Sequence, residues 1–486
     1  SDSSKKMYSL DEQSVALSFA LEMPRSSFAE HDSRETVTPG PSSEELFSEL
    51  QNPKVKVETL QTLKSRAKES AGAYSLHTEE FLSVALDEGF PFIDVRTPRE
   101  YDKGHIPGSI NVPLMTNDQH AAVGRSFKAQ GGGAAMVRAM RLVQPSIEGL
   151  LDVVRGIAEK AGTKRIGVHC KRGGMRSASV AWLLEQNGFK PFLLAGGYKS
   201  FRYFALNVYR TSPDGPLPPP EESYVGRVEE EVGSAEENEA NTRLLPLKNR
   251  GPRVCVLGGR TGTGKTRILK VLEQQHKAQV LDLEGLANHT GSAFGWCMNP
   301  PQPTDEQYGN ICAMRWRSFK EGEWVFIEDE DNHIGGCSTP PMLYQRMRSA
   351  PLIVKVVIPL EARLQVLLER YACQEARQME DWQELMSVSI DKLKKRLGPQ
   401  RVASAKAHLV SGDMGALTEI LLTYYDGLYD KHVANHSGSG SGTGTRSGQI
   451  VDVMAPSSMV ELDESWLANQ VLQKAGEFQV GAASLS

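Results

Sequence analysis

The chain has 486 residues, of which 40% are hydrophobic and 24% charged, and a formal net charge of −5; it is too long for one ordinary core and has the make-up of a soluble protein of two or three domains. Its longest apolar runs, such as Val354 to Leu360, fall short of a membrane span, and the N-terminal stretch has no basic region leading into an apolar one, so a membrane or secreted protein is set aside, a cytoplasmic one is expected and organelle targeting is left open. Cys170, Cys255, Cys297, Cys312, Cys337 and Cys373 form no CxxC pair, which signals neither a zinc site nor a disulfide framework and fits a reducing compartment.

In chain order, residues 1–73 are rich in Ser, Glu and Pro with weak periodicity and read as a disordered acidic arm. Residues 74–210 alternate short apolar strands (Pro91 to Val95, Arg165 to His169, Pro191 to Leu194) with helical stretches such as Ser177 to Asn187, an α/β pattern. Residues 211–250 form a Pro/Glu-rich linker. A second α/β unit, 251–360, carries strands at Val254 to Leu257, Gln279 to Leu283, Trp324 to Glu328 and Leu352 to Ile358. Residues 361–435 are charged and helix-periodic and read as a helical appendage, 436–449 as a Gly/Ser linker, and 450–486 as a C-terminal segment with a short strand and a final amphipathic helix within Ser457 to Phe478. Charge is segregated: residues 1–60 sum to −5 and 211–240 to −8, which leaves +8 on the rest and suits a polyanionic partner.

Cys170 lies at the end of a buried-type strand, in a loop Cys170-Lys-Arg-Gly-Gly-Met-Arg176 that opens a helix. Backbone N–H groups and a helix N-terminus should point at its sulfur, and Lys171, Arg172 and Arg176 add positive charge, while Gly173, Gly174 and Met175 leave the loop open to an oxyanion. A free cysteine more often ends as inert core; three cations and two glycines within six residues argue for an activated thiolate here. The pattern His169-Cys-x-x-Gly-x-x-Arg-Ser177 alone also fits the phosphate loop of cysteine-dependent phosphatases.

The stretch Gly259-Arg-Thr-Gly-Thr-Gly-Lys-Thr266 satisfies G-x-x-x-x-G-K-[ST] between the strand ending at Leu257 and a helix expected over Arg267 to His276. In that context Gly259, Gly262 and Gly264 let backbone amides wrap a phosphate, Lys265 reaches further oxygens and Thr266 can hold Mg2+. Glu328 or Asp329, at the end of the apolar strand Trp324 to Glu328, can support a metal, the plain alternative being a strand that ends in solvent with acids. Asp282, with Glu284, His289 and Ser292, sits just past another strand end, where α/β sheets bind ligands. Further on, Lys392, Lys394, Lys395, Arg396 and Arg401 form a basic helical segment suited to nucleic-acid phosphates or, alternatively, an ordinary solvated face.

Upstream of Cys170, Phe92-Ile-Asp-Val-Arg96, Glu100-Tyr101 and Gly104-His-Ile-Pro-Gly-Ser-Ile-Asn-Val-Pro113 resemble the opening motifs of the rhodanese family, and Ala195-Gly-Gly-Tyr198 its closing turn. Asp94, Arg96 and Glu100 then read as structural partners near the loop. A rhodanese unit followed by a P-loop NTPase-like unit with Asp282-Leu-Glu-Gly-Leu-Ala287 and Gly291-Ser-Ala-Phe-Gly295 resembles the tRNA 2-selenouridine synthase family; further matches are Asn111 to Met115 with Asp118, Ala122-Val-Gly124, Glu328-Asp-Glu330 and Lys394-Lys-Arg-Leu-Gly398. The acidic arm, the linker and the Gly/Ser insert depart from the family pattern and suggest a eukaryotic or otherwise elaborated relative.

That resemblance implies replacement of sulfur by selenium at wobble 2-thiouridine of tRNA, through S-geranyl-2-thiouridine formed with geranyl diphosphate and then selenophosphate, with no tightly bound cofactor. It implies that Cys170 handles the selenium and that Arg172 and Arg176 hold the selenophosphate oxyanion. Lys265 and Thr266 are left with three ligands to choose from: the diphosphate of the geranyl donor, a nucleotide or a tRNA phosphate. Rival functions are a persulfide carrier joined to an NTP-driven adaptor, a cysteine-dependent phosphatase-like enzyme, and a tRNA-binding protein without turnover.

Overall fold

The computed structural model describes residues 75–210, 212, 217, 251–290, 292, 294, 299–372, 378, 381–437 and 448–483, with the backbone alone for 431–437 and 481–483. The arm 1–73, nearly all of the linker 211–250, most of the insert 436–449, Cys297 and Cys373 lie outside the described residues. What is described divides into two compact units, up to residue 204 and from 205 onward. Among the described residues no helix is long and apolar enough to cross a membrane.

The first unit runs β1 (Ser75–Leu76), α1 (Thr78–Leu82), β2 (Phe92–Asp94), α2 (Pro98–Lys103), β3 (Ile110–Asn111), α3 (Asn117–Val143), α4 (Ile147–Ala161), β4 (Arg165–His169), α5 (Met175–Gln186), β5 (Lys190–Leu194) and α6 (Gly197–Asn207). Its strands form one parallel sheet in the order β1-β5-β4-β2-β3. Central strands of such a sheet are covered on both faces, and every residue of β2 and all but the first of β4 and β5 are buried.

Local chemistry fixes the helix ends. At α2, the Thr97 hydroxyl accepts from the Glu100 amide, the Glu100 carboxylate accepts from the Thr97 amide, and Pro98 opens the helix. Helix α4 buries Leu150, Leu151, Val154 and Ala158 along one stripe and stops at Gly162, whose φ of 62° is left-handed; each of the larger side chains contributes about 1.5–3 kcal/mol by leaving water. Asp94 pairs in register with His169, so the C-terminal ends of β2 and β4 lie level and the loops after them meet.

The second unit runs β6 (Arg253–Gly258), α7 (Lys265–Gln274), β7 (Gln279–Leu281), α8 (Leu283–Leu286), α9 (Asp305–Arg317), β8 (Trp324–Glu328), β9 (His333–Ile334), β10 (Cys337–Ser338), α10 (Pro341–Arg348), β11 (Leu352–Val357), α11 (Leu360–Tyr371), α12 (Trp382–Lys392), α13 (Lys394–Leu397), α14 (Pro399–Ser411), α15 (Met414–Ser437), β12 (Gln449–Met454) and α16 (Glu464–Ala483). Five of these strands make a parallel sheet in the order β12-β11-β6-β8-β7, and β9 with β10 makes a small antiparallel hairpin.

Two expectations shift. Helix α7 starts at Lys265 rather than Arg267, because Gly264 adopts φ 77° and releases the chain into the helix one residue later. The short strand expected within Ser457 to Phe478 is instead β12, earlier in the chain: Gln449 to Met454 pairs residue for residue with Leu352 to Val357. Its Val453 joins Leu467, Ala468, Val471 and Ala475 of α16 in the same core as Leu257, Leu269 and Val354. The C-terminal segment thus completes the sheet that carries the phosphate loop. Helices α12 to α15 bury a separate apolar cluster that includes Trp382, Ile390, Leu397, Leu409 and Leu417.

Candidate active site

Two strand-loop-helix turns gather the expected site residues, one in each unit. In the first, β4 delivers Cys170, 3% exposed, to the mouth of the loop that opens α5. The closing turn locks this loop from behind: the Tyr198 amide donates to the Cys170 carbonyl at 2.8 Å and the Lys199 amide to the Lys171 carbonyl at 2.9 Å. Gly197, at φ 61°, lies so close to the Cys170 carbonyl and the Gly173 amide that any Cβ there would collide with both.

The expected structural trio is assembled behind the loop. Asp94 and Arg96 form a buried pair at 2.6 Å, Arg96 also donates to the Gly104 carbonyl at 2.7 Å, and its guanidinium lies 3.8 Å over the Tyr198 ring. Glu100 takes two hydrogen bonds from Arg176, at 2.8 and 3.3 Å. Burial alone would raise the Glu100 carboxyl, but the Arg176 guanidinium holds it down to about 2. His169 is fully buried, and burial pushes its pKa down to about 4, so the imidazole is neutral.

Of the loop's cations, Lys171 and Arg172 are exposed, while Arg176 is held by Glu100 and also feels the charge of the Cys170 sulfur. Hydrogen-bonded to the sulfur is a residue absent from the expected site, Ser177, whose Oγ lies 3.2 Å from Sγ.

In the second unit, Gly258 ends β6 and the chain turns through Gly259, Gly262 (φ 84°) and Gly264 (φ 77°) before α7 begins. The Lys265 ammonium donates to the Gly259 carbonyl at 3.2 Å and sits 3.7 Å from Glu330. Thr266 donates to Glu284 at 3.3 Å, and the Glu284 amide donates to Glu328 at 2.8 Å. Asp282 caps α8 by accepting from the Gly285 amide at 2.7 Å.

Asp329 is buried in an ion pair with Arg348 at 2.7 Å, and the acids directly beside Lys265 and Thr266 are Glu330 and Glu284. Burial, then the charges of Asp282 and Glu284, push the Glu328 carboxyl well up; burial and Glu284 raise Glu330 to about 8, with Lys265 pulling the other way. A carboxyl that holds its proton near neutral pH is a group matched to proton transfer or to an absent positive charge.

Helix α15 also reaches the phosphate loop, which nothing in its own sequence announces. Arg363 donates to the Thr261 carbonyl at 2.9 Å and to Asp426 at 2.9 Å, while Arg260 pairs with Asp430 at 2.7 Å. Two cavities flank the loop. A polar one of about 370 Å3 is lined by Thr266, Lys270, Asp282, Glu284 and Arg370, and a narrow apolar one of about 40 Å3 by Thr261, Leu367, Met386, Met414 and Leu421.

Lys392, Lys394, Lys395, Arg396 and Arg401 are all exposed, but they fall on three short helices, α12 to α14, rather than one. Leu393 and Leu397 between them point into the core, which turns the cations outward. Burial and then the charge of Lys392 push the His289 pKa down, which puts that lysine near the turn after α8.

A thiol loop on one parallel sheet and a phosphate loop on another define an enzyme of rhodanese-like and P-loop units. Residues 78–203 match the rhodanese-like domain family, and residues 252–457 match the tRNA 2-selenouridine synthase AAA domain. The tRNA 2-selenouridine synthase of Salmonella enteritidis is 32% identical over 378 residues, 71% of this chain and 90% of that protein. The proteins of that name from Hydrogenovibrio crunogenus and Sulfurovum sp. are 30% and 29% identical, over 73% and 74% of this chain and 91% and 93% of their own lengths. The chain belongs to the tRNA 2-selenouridine synthase family.

Proposed function

We propose that this chain replaces the sulfur of wobble 2-thiouridine in tRNA with selenium, in two steps assigned to separate loops. In the first, the thiouridine sulfur attacks C1 of geranyl diphosphate; a C–S bond forms, the C–O bond breaks, and diphosphate leaves with the electron pair. In the second, the selenium of selenophosphate attacks C2, the C–S bond breaks and geranylthiolate leaves with the electron pair; water then cleaves the Se–P bond, and phosphate and 2-selenouridine are released. Membership of a family whose relatives carry the name tRNA 2-selenouridine synthase is the observation that carries this reading.

Cys170 is assigned the selenium step, as thiolate, with Lys171, Arg172 and Arg176 holding the selenophosphate oxyanion. Diphosphate is assigned to the glycine-rich turn, Lys265 and Thr266, because an apolar cavity begins at Thr261 of the same loop and suits a hydrocarbon tail better than a nucleobase sugar. Met386 and Met414, flexible side chains, are the ones to shift to admit it. A bound Mg2+ would neutralise phosphate charge; Thr266 and Glu284 are the residues to hold it. Exposed Lys392, Lys394, Lys395, Arg396 and Arg401 are assigned to tRNA phosphates, and the cytoplasm is the expected compartment.

The test is nucleoside mass spectrometry of 2-thiouridine tRNA incubated with purified protein. With geranyl diphosphate the expected product is S-geranyl-2-thiouridine, and addition of selenophosphate converts it to 2-selenouridine. Absence of both products overturns the proposal.

A further inference from the structure

Cys170 is buried, and no cation of the loop is hydrogen-bonded to it: Lys171 and Arg172 are exposed, and Arg176, close enough to feel the sulfur's charge, is tied to Glu100. Ser177, 1% exposed, is the side chain bonded to the sulfur, 3.2 Å away. Its hydroxyl has a second partner, the Gly174 carbonyl at 3.1 Å. That carbonyl also accepts from the Ala178 amide at 3.1 Å, so it keeps a partner when the hydroxyl turns away. The single hydroxyl hydrogen thus has two places to go, and neither leaves a buried group unsatisfied.

We propose that Ser177 is a catalytic residue of the selenium-handling loop, whose hydroxyl turns from the Gly174 carbonyl to donate to the Cys170 sulfur when that sulfur is anionic. With the thiol protonated, the S–H donates to Ser177 Oγ and the hydroxyl hydrogen rests on Gly174. On ionisation the thiol proton passes to solvent and the hydroxyl hydrogen rotates onto the sulfur, so that a buried anion gains a charge-assisted bond at the cost of a neutral one. The inference rests on Cys170 being the reactive group of the proposed function, but its test needs no tRNA and so fails separately from that reading.

The experiment measures the rate of iodoacetamide alkylation of Cys170, read on its own peptide by mass spectrometry, between pH 5 and 10 in the full chain. Ser177→Ala is expected to move the pH of half-maximal rate upward by about one unit and to slow alkylation at pH 7 about tenfold, since a bond to a charged group is worth roughly that much. Should the alanine variant fold poorly, the isosteric pair Ser177→Thr and Ser177→Val answers the same question: the threonine variant keeps the wild-type profile and the valine variant takes the shifted one. Profiles that superimpose for wild type and alanine, or for threonine and valine, overturn the proposal.

Discussion

The two loops are built alike and charged in opposite ways. Each follows a central strand of a parallel sheet and opens a helix, the cysteine loop after β4 and the phosphate loop after β6. Around Cys170 the loop's own cations face solvent or a single carboxylate, and the buried polar groups are the Ser177 hydroxyl, a neutral imidazole and the Asp94–Arg96 pair. Around Lys265 stand Glu284, Glu328 and Glu330, two of them with raised carboxyls. One loop therefore sets a hydroxyl against its sulfur, and the other is prepared to exchange buried protons when a strongly charged phosphate and its counterion arrive.

That contrast breaks most sharply at the nucleophile. Cys170→Ser is expected to lower 2-selenouridine formation on the order of a thousandfold or more while geranylation persists, because removal of a covalent-step side chain leaves only binding behind. Lys265→Ala should cut geranylation by about a hundredfold, the usual loss for one positioned cation or donor, measured as S-geranyl-2-thiouridine per minute. Glu100→Gln frees Arg176 and is expected to raise the half-saturating selenophosphate concentration about tenfold with a smaller change in the maximal rate, as loss of orientation does.

Glu100 also carries a pH signature: its carboxyl is held below the usual range, so its contribution to stability is present above about pH 4.5 and is lost as pH falls toward about 2. Thermal melting across that window should show a steeper loss for wild type than for Glu100→Gln. The smallest effect concerns Glu330, raised to about 8. Below that pH it is protonated and leaves Lys265 free for an anion; above it, a new negative charge competes. Pyrophosphate affinity by calorimetry is expected to weaken a few-fold as pH rises through 8, and Glu330→Gln should flatten the curve.

Much of this was readable in the sequence where chemistry is local. The apolar strand into Cys170, the glycines of the phosphate loop and the Ala195-Gly-Gly-Tyr198 turn each dictate a backbone path within ten residues. Partners distant in sequence were not readable. β12 meets β11 across almost a hundred residues, and nothing in Gln449 to Met454 names that neighbour. Among Glu328, Asp329 and Glu330 the one that faces Lys265 is decided by how the chain turns off the strand end, so the sequence points to Glu328 or Asp329 and gives no sign of Glu330. Asp426 and Asp430 lie on a helix whose register against the phosphate loop is set by tertiary packing alone. Ser177 had a signal, the Arg-Ser pair ending the loop, but its direction toward the sulfur comes from the start of α5.

The division of labour between the loops is tested most directly by nucleoside mass spectrometry on one batch of 2-thiouridine tRNA treated with wild type, Cys170→Ser or Lys265→Ala, with both donors present. Wild type is expected to give 2-selenouridine, the cysteine variant to accumulate S-geranyl-2-thiouridine, and the lysine variant to leave 2-thiouridine unmodified. Equal loss of geranylation in both variants, or selenouridine from the cysteine variant, would contradict that division of labour.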